Sequence, residues 1–148
     1  MLDSVRISGH VSVAVRHEDG TTSVVEQPNM IVTTGLERLA ALFAQDSTAF
    51  ASHIAIGTGT TAVTAGDTAL ETEVDRNALG SDTASGAVAT FKAFFSKSEA
   101  NGSTISEVGL FDQASTGTLI ARSVLASTVA KDATKSLTIT WTFTLADA

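Results

Sequence analysis

Two charged residues, Glu107 and Arg122, interrupt segments that are otherwise largely apolar. A carboxylate and a guanidinium in such surroundings could line a functional site. The alternative is an ion pair, formed between strands or across an interface, because partly buried charges require partners. We favour the ion pair, which predicts a structural role for both residues.

Four acidic residues, Asp67, Glu71, Glu73 and Asp75, lie close together near the middle of the chain. Hard cations such as calcium bind carboxylate oxygens, so these residues could form a weak cation site. Their spacing does not match an EF-hand loop, in which the glycine has a fixed position. We therefore favour a solvated acidic segment, in which Glu73 or Asp75 pairs with Arg76.

Other patterns that could support catalysis or cofactor binding are incomplete. The three histidines, His10, His17 and His53, form no spaced pair such as HxxxH, and no serine lies in a G-x-S-x-G elbow. Residues 57–62, Gly-Thr-Gly-Thr-Thr-Ala, fit the loose form of a dinucleotide fingerprint, but no helical periodicity follows them. We expect a protein that is not an enzyme, with no catalytic residue, no cofactor and no bound metal.

The charge and composition argue against several classes of partner. Sixteen acidic residues against nine basic ones give a formal net charge of −7, whereas nucleic acid binding calls for clustered Lys and Arg. No apolar run of about 18 residues is present, and the N-terminus lacks the pattern of a signal peptide. We therefore expect no nucleic acid partner, no membrane partner and no Sec-type export.

Regular alternation identifies the strands that must position these residues. From residue 137 to 145 every odd residue is large and apolar and every even one is threonine, which predicts a strand with one buried face. Trp141 lies on that apolar face and is expected in the core. Related patterns predict strands over 5–16, 21–26, 53–56, 87–95, 105–111 and 118–125.

One short helix is predicted between the second and third strands. The spacing of Thr34 and Glu37 matches a capping box, and apolar residues recur at helical spacing over 35–44. We expect this helix to cover one end or one face of the sheet. A long polar loop is expected over 57–84, with a single helical turn at 67–71.

Together these elements predict a mainly β fold. Asp19-Gly20 and Asn101-Gly102 are expected to be hairpin turns, and Pro28 is expected to end the second strand. The number and spacing of strands indicate an antiparallel β-sandwich or barrel-like fold of about seven or eight strands. We expect one β-rich domain over 1–148, in which a strand and hairpin over 1–27 could act as an arm that reaches a neighbour.

The order of several short segments is more specific than any of them alone. They are 29–36, 54–60, 67–70, 73–76, 105–112 and 119–122, followed by the alternating threonine strand. This order resembles small structural proteins of tailed bacteriophages, which include tail-fibre, baseplate and other virion proteins. The segment Glu-Val-Gly-Leu-Phe at 107–111 is also similar to one found in tail-collar fibre proteins. The likeness covers 29–145, and it implies a role in the fold or in subunit contacts for Glu73, Arg76, Glu107 and Arg122.

The resemblance implies a non-enzymatic structural protein of a tailed-phage virion, used as a building block of the tail tip, fibre base or baseplate. A capsid decoration protein, bound to the major capsid protein, is the alternative, and a carbohydrate-binding tip module is the second alternative. The partners would be other virion proteins and copies of the chain itself, with a trimer as one hypothesis. The protein would be located in the virion, after assembly in the cytoplasm of the host bacterium.

Overall fold

The computed structural model describes residues 4–44 and 48–148 of the chain. In these ranges nine strands and one helix follow one another. They are β1 (Val5–Arg16), β2 (Thr22–Ile31), α1 (Thr33–Phe43), β3 (His53–Gly57), β4 (Glu73–Ala78), β5 (Ser81–Ser85), β6 (Val88–Phe95), β7 (Thr104–Phe111), β8 (Leu119–Ala130) and β9 (Ser136–Asp147).

The nine strands form one antiparallel sheet in the order β4-β3-β7-β8-β2-β1-β9-β6-β5. The sheet curls into a half-barrel, so the side-chain amide of Asn77 in β4 donates a hydrogen bond of 2.8 Å to the carbonyl of Phe94 in β6. Side chains from both halves of the sheet meet in one core, which includes Val11, Ile56 and Trp141. The predicted mainly β, antiparallel fold with one short helix is confirmed, and the described residues form nine strands where about seven or eight were expected.

β1 and β9 lie near the centre of the sheet and pair along all twelve residues of each strand. Their apolar residues alternate as predicted, and Val11 in β1 and Ile139 and Trp141 in β9 are fully buried. Burial of each such side chain contributes about 1.5–3 kcal/mol. β1 is therefore an integral strand of the sheet, and a role of residues 1–27 as an arm that reaches a neighbour stays a prediction.

Pro28 lies inside β2 and does not end it, which corrects the prediction. It is opposite His10 of β1, and among the described residues β2 pairs with β8 only at Met30 and Ile31. Proline has no N–H to donate, so a strand tolerates it where one edge has no ladder partner. Pro28 is tolerated because the edge of β2 that faces β8 has no ladder partner at this residue.

The side chain of Gln27 replaces the ladder where β2 and β8 separate. Its amide nitrogen donates to the hydroxyl of Ser123 (2.6 Å) and to the carbonyl of Val124 (2.5 Å). Its amide oxygen accepts a hydrogen bond from the N–H of Ala126 (2.7 Å). This side chain, together with a longer hydrogen bond from Ser123 Oγ to the carbonyl of Pro28 (3.4 Å), joins β2 to β8 beyond the last ladder pair.

The segment predicted as a polar loop over 57–84 contains two strands, β4 and β5. They are the two edge strands of the sheet, and every residue of β5 is exposed, so no apolar alternation marks it in the sequence. The helical turn expected at 67–71 is not formed. Asn101-Gly102 is a turn but not a hairpin, because β6 and β7 on either side of it are not neighbours in the sheet.

α1 begins two residues earlier than predicted, and its first turn lies on β8. The N-cap residue is Val32, and no side chain of a described residue caps the helix. The hydroxyl of Thr34 instead donates to the carbonyl of Leu119 (2.7 Å), so the predicted capping box is wrong. Gly35 is buried there, and a Cβ atom on it would lie 2.1 Å from the carbonyl oxygen of Ile120. Only glycine lets the helix approach the backbone of β8 so closely.

Candidate functional site

Glu107 and Arg122 form an ion pair in the interior, as the sequence predicts. Glu107 lies in β7 opposite Val124 of β8, and Arg122 is two residues from Val124, so both charged side chains project from the same face. Arg122 Nε donates to Glu107 Oε2 at 2.9 Å. The Glu107 side chain is 0% exposed and that of Arg122 is 3% exposed, which makes this a buried pair.

The Glu107 carboxylate also binds the backbone of the segment 58–72, which contains no helix or strand. Oε1 accepts hydrogen bonds from the N–H groups of Gly59 (3.0 Å) and Thr72 (2.8 Å). Oε2 accepts one from the N–H of Glu71 (3.0 Å), in addition to the one from Arg122. Hydrogen bonds to a charged acceptor are stronger than neutral ones, so this carboxylate fastens both ends of the segment to β7.

Arg122 reaches the same segment with the rest of its guanidinium. Nη1 lies 2.9 Å from Asp67 Oδ2, while Nη2 lies 2.9 Å from Glu107 Oε2 and 3.8 Å from Glu71 Oε2. Nη2 makes no hydrogen bond within the described residues, so its two contacts are ion-pair contacts without hydrogen-bond geometry. We call Asp67, Glu71, Glu107 and Arg122 the Glu107 cluster.

The two carboxylates that segment 58–72 contributes have lowered pKa values. Burial raises the pKa of Asp67, but hydrogen bonds from Thr64 and Arg122 and the nearby guanidinium charge outweigh it and bring the pKa below its usual value. Hydrogen bonds from Thr61 are the main cause of the lowered pKa of Glu71. Both groups are therefore ionised at neutral pH and available to Arg122.

Gly57 and Gly59 are required by this arrangement. A Cβ atom on Gly57 would lie 2.6 Å from Glu107 Oε1, and one on Gly59 would lie 2.5 Å from the same oxygen. The hydroxyl of Ser106 also donates to the carbonyl of Gly59 (2.8 Å). The two glycines thus let the backbone approach a buried carboxylate. Dinucleotide binding would instead need a helix that begins within segment 58–72, and this segment contains none.

Glu73 and Arg76 form a second ion pair at the edge of the sheet. Arg76 Nε and Nη2 bind the two carboxylate oxygens of Glu73 at 2.9 and 2.6 Å. Arg76 Nη1 donates to the carbonyls of Gln113 and Thr116, each at 2.9 Å. The guanidinium also lies 3.6 Å above the centre of the Phe111 ring. Arg76 therefore connects β4 to the turn that follows β7.

The remaining candidate residues do not meet in one place. His10 lies in β1, His17 lies in the turn after it, and His53 lies in β3. In the part of the chain that the structure describes, no three His, Asp or Glu side chains are arranged to hold a metal ion. Trp141 is fully buried, as predicted, and cannot stack on a sugar from solvent. Of the residues with a described structure, none belongs to a helix long and apolar enough to cross a membrane.

Lys131 is a buried charge that no pattern in the sequence singles out. The residue is only 2% exposed. Its Nζ lies 2.9 Å from Asn101 Oδ1 and 3.1 and 3.5 Å from the carbonyls of Asp132 and Lys97. Burial lowers the pKa of Lys131, although Asp132 and Glu99 act in the opposite direction. The ammonium group joins the turn before β7 to the turn before β9.

The geometry of the Glu107 cluster suits a structural role, in which it holds segment 58–72 on the sheet, rather than proton transfer. Both oxygens of Glu107 are occupied by donors, and its side chain is closed to solvent, so a substrate cannot reach it. Comparison of the chain with protein-family models, with curated proteins and with solved structures finds no match to any of them. A role of Glu73, Arg76, Glu107 and Arg122 in contacts between subunits therefore stays a prediction.

Proposed function

We propose that this chain is a non-enzymatic structural protein of a tailed-bacteriophage virion, and a building block of the tail tip, fibre base or baseplate. The observation that best supports the proposal is the use of its buried charges. The Glu107 cluster holds an irregular segment on the sheet, and Arg76 holds a turn, so interior charges stiffen the subunit. A subunit of fixed shape suits a role in a repeating, symmetric assembly.

The order of segments that resembles phage structural proteins supports the same proposal. The segment 54–60 includes Gly57 and Gly59, 105–112 includes Glu107, and 119–122 includes Arg122. All four residues belong to the buried arrangement around the Glu107 carboxylate. In the proposed role the chain is made in the host cytoplasm and acts in the virion, with other virion proteins and copies of itself as partners.

Immunogold electron microscopy of intact particles of the parent phage tests the proposal. We expect label at the tail tip or baseplate, because the proposed subunit is built into that part of the particle. Antibody that has been absorbed with the purified protein is the control for specificity. Label spread over the head would favour capsid decoration instead, and unlabelled particles would contradict any role in the virion.

A further inference from the structure

Asn101 is the asparagine of this chain that glycine follows, whereas Asn29 and Asn77 precede methionine and alanine. The backbone nitrogen of the next residue can attack the side-chain amide of an asparagine. The attack is easiest when that residue is glycine, because no Cβ atom hinders the approach. It closes a succinimide ring and releases ammonia, and water then opens the ring to aspartate or isoaspartate. The sequence therefore makes Asn101 chemically labile.

Both ends of the Asn101 side-chain amide are held in the folded chain. The amide nitrogen donates to the carbonyl of Lys97 at 2.8 Å, and the amide oxygen accepts a hydrogen bond from Lys131 Nζ at 2.9 Å. The residue is exposed, so these bonds, and not burial, restrain the side chain. Attack requires the amide to turn its carbon towards the nitrogen of Gly102, and the two hydrogen bonds restrict that rotation.

The attacking nitrogen is held as well. The N–H of Gly102 donates to the carbonyl of Lys131 at 3.0 Å, and the N–H of Lys131 donates to the carbonyl of Ser103 at 2.9 Å. Gly102 has a φ of 86°, in the left-handed region that favours glycine. The nitrogen must lose its proton to attack, and a hydrogen bond from the N–H to a carbonyl stabilises the protonated, unreactive form.

Lys131 is the residue that contacts both reacting groups. Its carbonyl binds the N–H of Gly102, and its ammonium group binds the amide oxygen of Asn101. The residue is 2% exposed, and its Nζ donates to neutral oxygens, which are Asn101 Oδ1 and the carbonyls of Lys97 and Asp132. Burying an ammonium group among neutral acceptors is costly, and protection of Asn101 is a property that this arrangement supplies.

We propose that Asn101 is a latent deamidation site, and that Lys131 keeps it unreactive by holding both the attacking nitrogen and the amide under attack. In the reaction a bond forms between the nitrogen of Gly102 and the side-chain carbon of Asn101, and ammonia leaves with the proton of that nitrogen. Water is the co-reactant that then opens the ring. Opening of the turn starts the reaction. The inference goes beyond the proposed function, since it does not depend on a virion.

Peptide mass spectrometry of the whole chain, incubated at mildly alkaline pH, tests the site, because deamidation replaces the amide NH₂ by a slightly heavier OH. In urea, Asn101 should convert faster than Asn77, which alanine follows. In the folded chain Asn101 should convert at least about tenfold more slowly than in urea, the effect of one hydrogen bond from a charged group. Equal rates for Asn101 and Asn77 in urea, or equal rates for Asn101 with and without urea, would overturn the proposal.

Replacing Lys131 tests whether it protects the site. Lys131→Met removes the ammonium group and should speed conversion of Asn101 in the folded chain about tenfold or more. It also removes a donor that polarises the amide carbonyl, which by itself would slow the attack, so a faster reaction reports release of the side chain. Lys135→Met is the matched control. Lys135 Nζ binds the carbonyl of Ala130 and Asp132 Oδ2 in the same region, and we expect no change.

Three further results would overturn the role of Lys131. They are an unchanged rate in Lys131→Met, an equal increase in both variants, and a cross-link from Lys131 to Asn101 with loss of ammonia, in which the lysine would itself attack the amide. Trp141 fluorescence checks that both variants are folded. Amide exchange gives a test that needs no variant. The N–H of Gly102 should be protected in the folded chain, and exchange at the rate of the unfolded chain would contradict the proposal.

Discussion

Replacing Glu107 by glutamine tests whether a buried carboxylate holds segment 58–72 on the sheet. Glutamine has nearly the same shape, but in either orientation its NH₂ group faces two of the four donors that the carboxylate accepts. Removing one partner of a buried ion pair costs about 3–5 kcal/mol. For a chain of 148 residues, this loss corresponds to a fall in Tm of about 6–20 °C.

Urea unfolding measures this loss through the fluorescence of the single tryptophan, because Trp141 is fully buried in the folded chain. Amide hydrogen exchange shows where in the chain the stability is lost. In the variant, the N–H groups of Gly59 and Thr72 should lose protection before those of β9. Glu73→Gln is the matched control. The Glu73 side chain is 34% exposed, so we expect a loss of about 1 kcal/mol or less.

Two results would refute this reasoning. A Glu107→Gln variant within about 1 kcal/mol of the wild type would mean that the four hydrogen bonds contribute little. A double variant, Glu107→Leu with Arg122→Met, tests the backbone contacts separately. If it were as stable as the wild type, the hydrogen bonds from the backbone N–H groups to Glu107 would contribute little to stability.

Three further changes test other parts of the fold. Gly35→Ala should cost about 1–3 kcal/mol in urea unfolding, because the new methyl group meets the carbonyl of Ile120, whereas Gly80→Ala, where a Cβ meets nothing within 4 Å, is the control. Gln27→Ala should cost about 0.5–1.5 kcal/mol and speed amide exchange at Ala126, because the backbone groups of Val124 and Ala126 lose their hydrogen-bond partner, and the exposed Gln113→Ala should change little. Acid should lower Tm, because hydrogen bonds from Thr134 and Lys135 lower the pKa of Asp132 from 3.8 to about 2, and the pKa values of Asp67 and Glu71 are lowered too. The stability that these carboxylates contribute is complete above their unfolded pKa values and is lost as pH falls through the folded ones, so Tm should fall from about pH 4.5 downwards. Asp132→Asn should flatten this dependence, and a Tm that is constant down to about pH 2 would contradict it.

The strands with one buried face were the predictable part of the fold. β1 and β9 each alternate apolar and polar residues over most of twelve positions, and such a period leaves no other arrangement that buries the apolar side chains. β4 and β5 could not be found in this way, because they are edge strands whose residues are mostly polar and exposed. Pro28 was wrongly predicted to end β2. The missing N–H of a proline disrupts a strand only where that side of the strand has a ladder partner, and β2 has none towards β8 at Pro28.

The candidate site was predictable only in its central pair. An isolated acid and an isolated base in apolar strands require partners, and this predicted the contact between Glu107 and Arg122. Their other partners depend on the path of segment 58–72, since Glu71 is 36 residues from Glu107 and Asp67 is 55 residues from Arg122. The burial of Lys131 follows from the meeting of two turns, which no local pattern encodes.

The junction at Gln27 bears on how the subunit responds to mechanical load. At this junction β2 and β8 share two ladder pairs, followed by the hydrogen bonds of the Gln27 amide and a longer one from Ser123 Oγ to the carbonyl of Pro28 (3.4 Å). A pull that separates the halves would load these few bonds in turn, whereas the β1–β9 ladder distributes the same pull over twelve pairs. Under tension the subunit would therefore open first along β2 and β8, and the strands on either side would part as intact sheets.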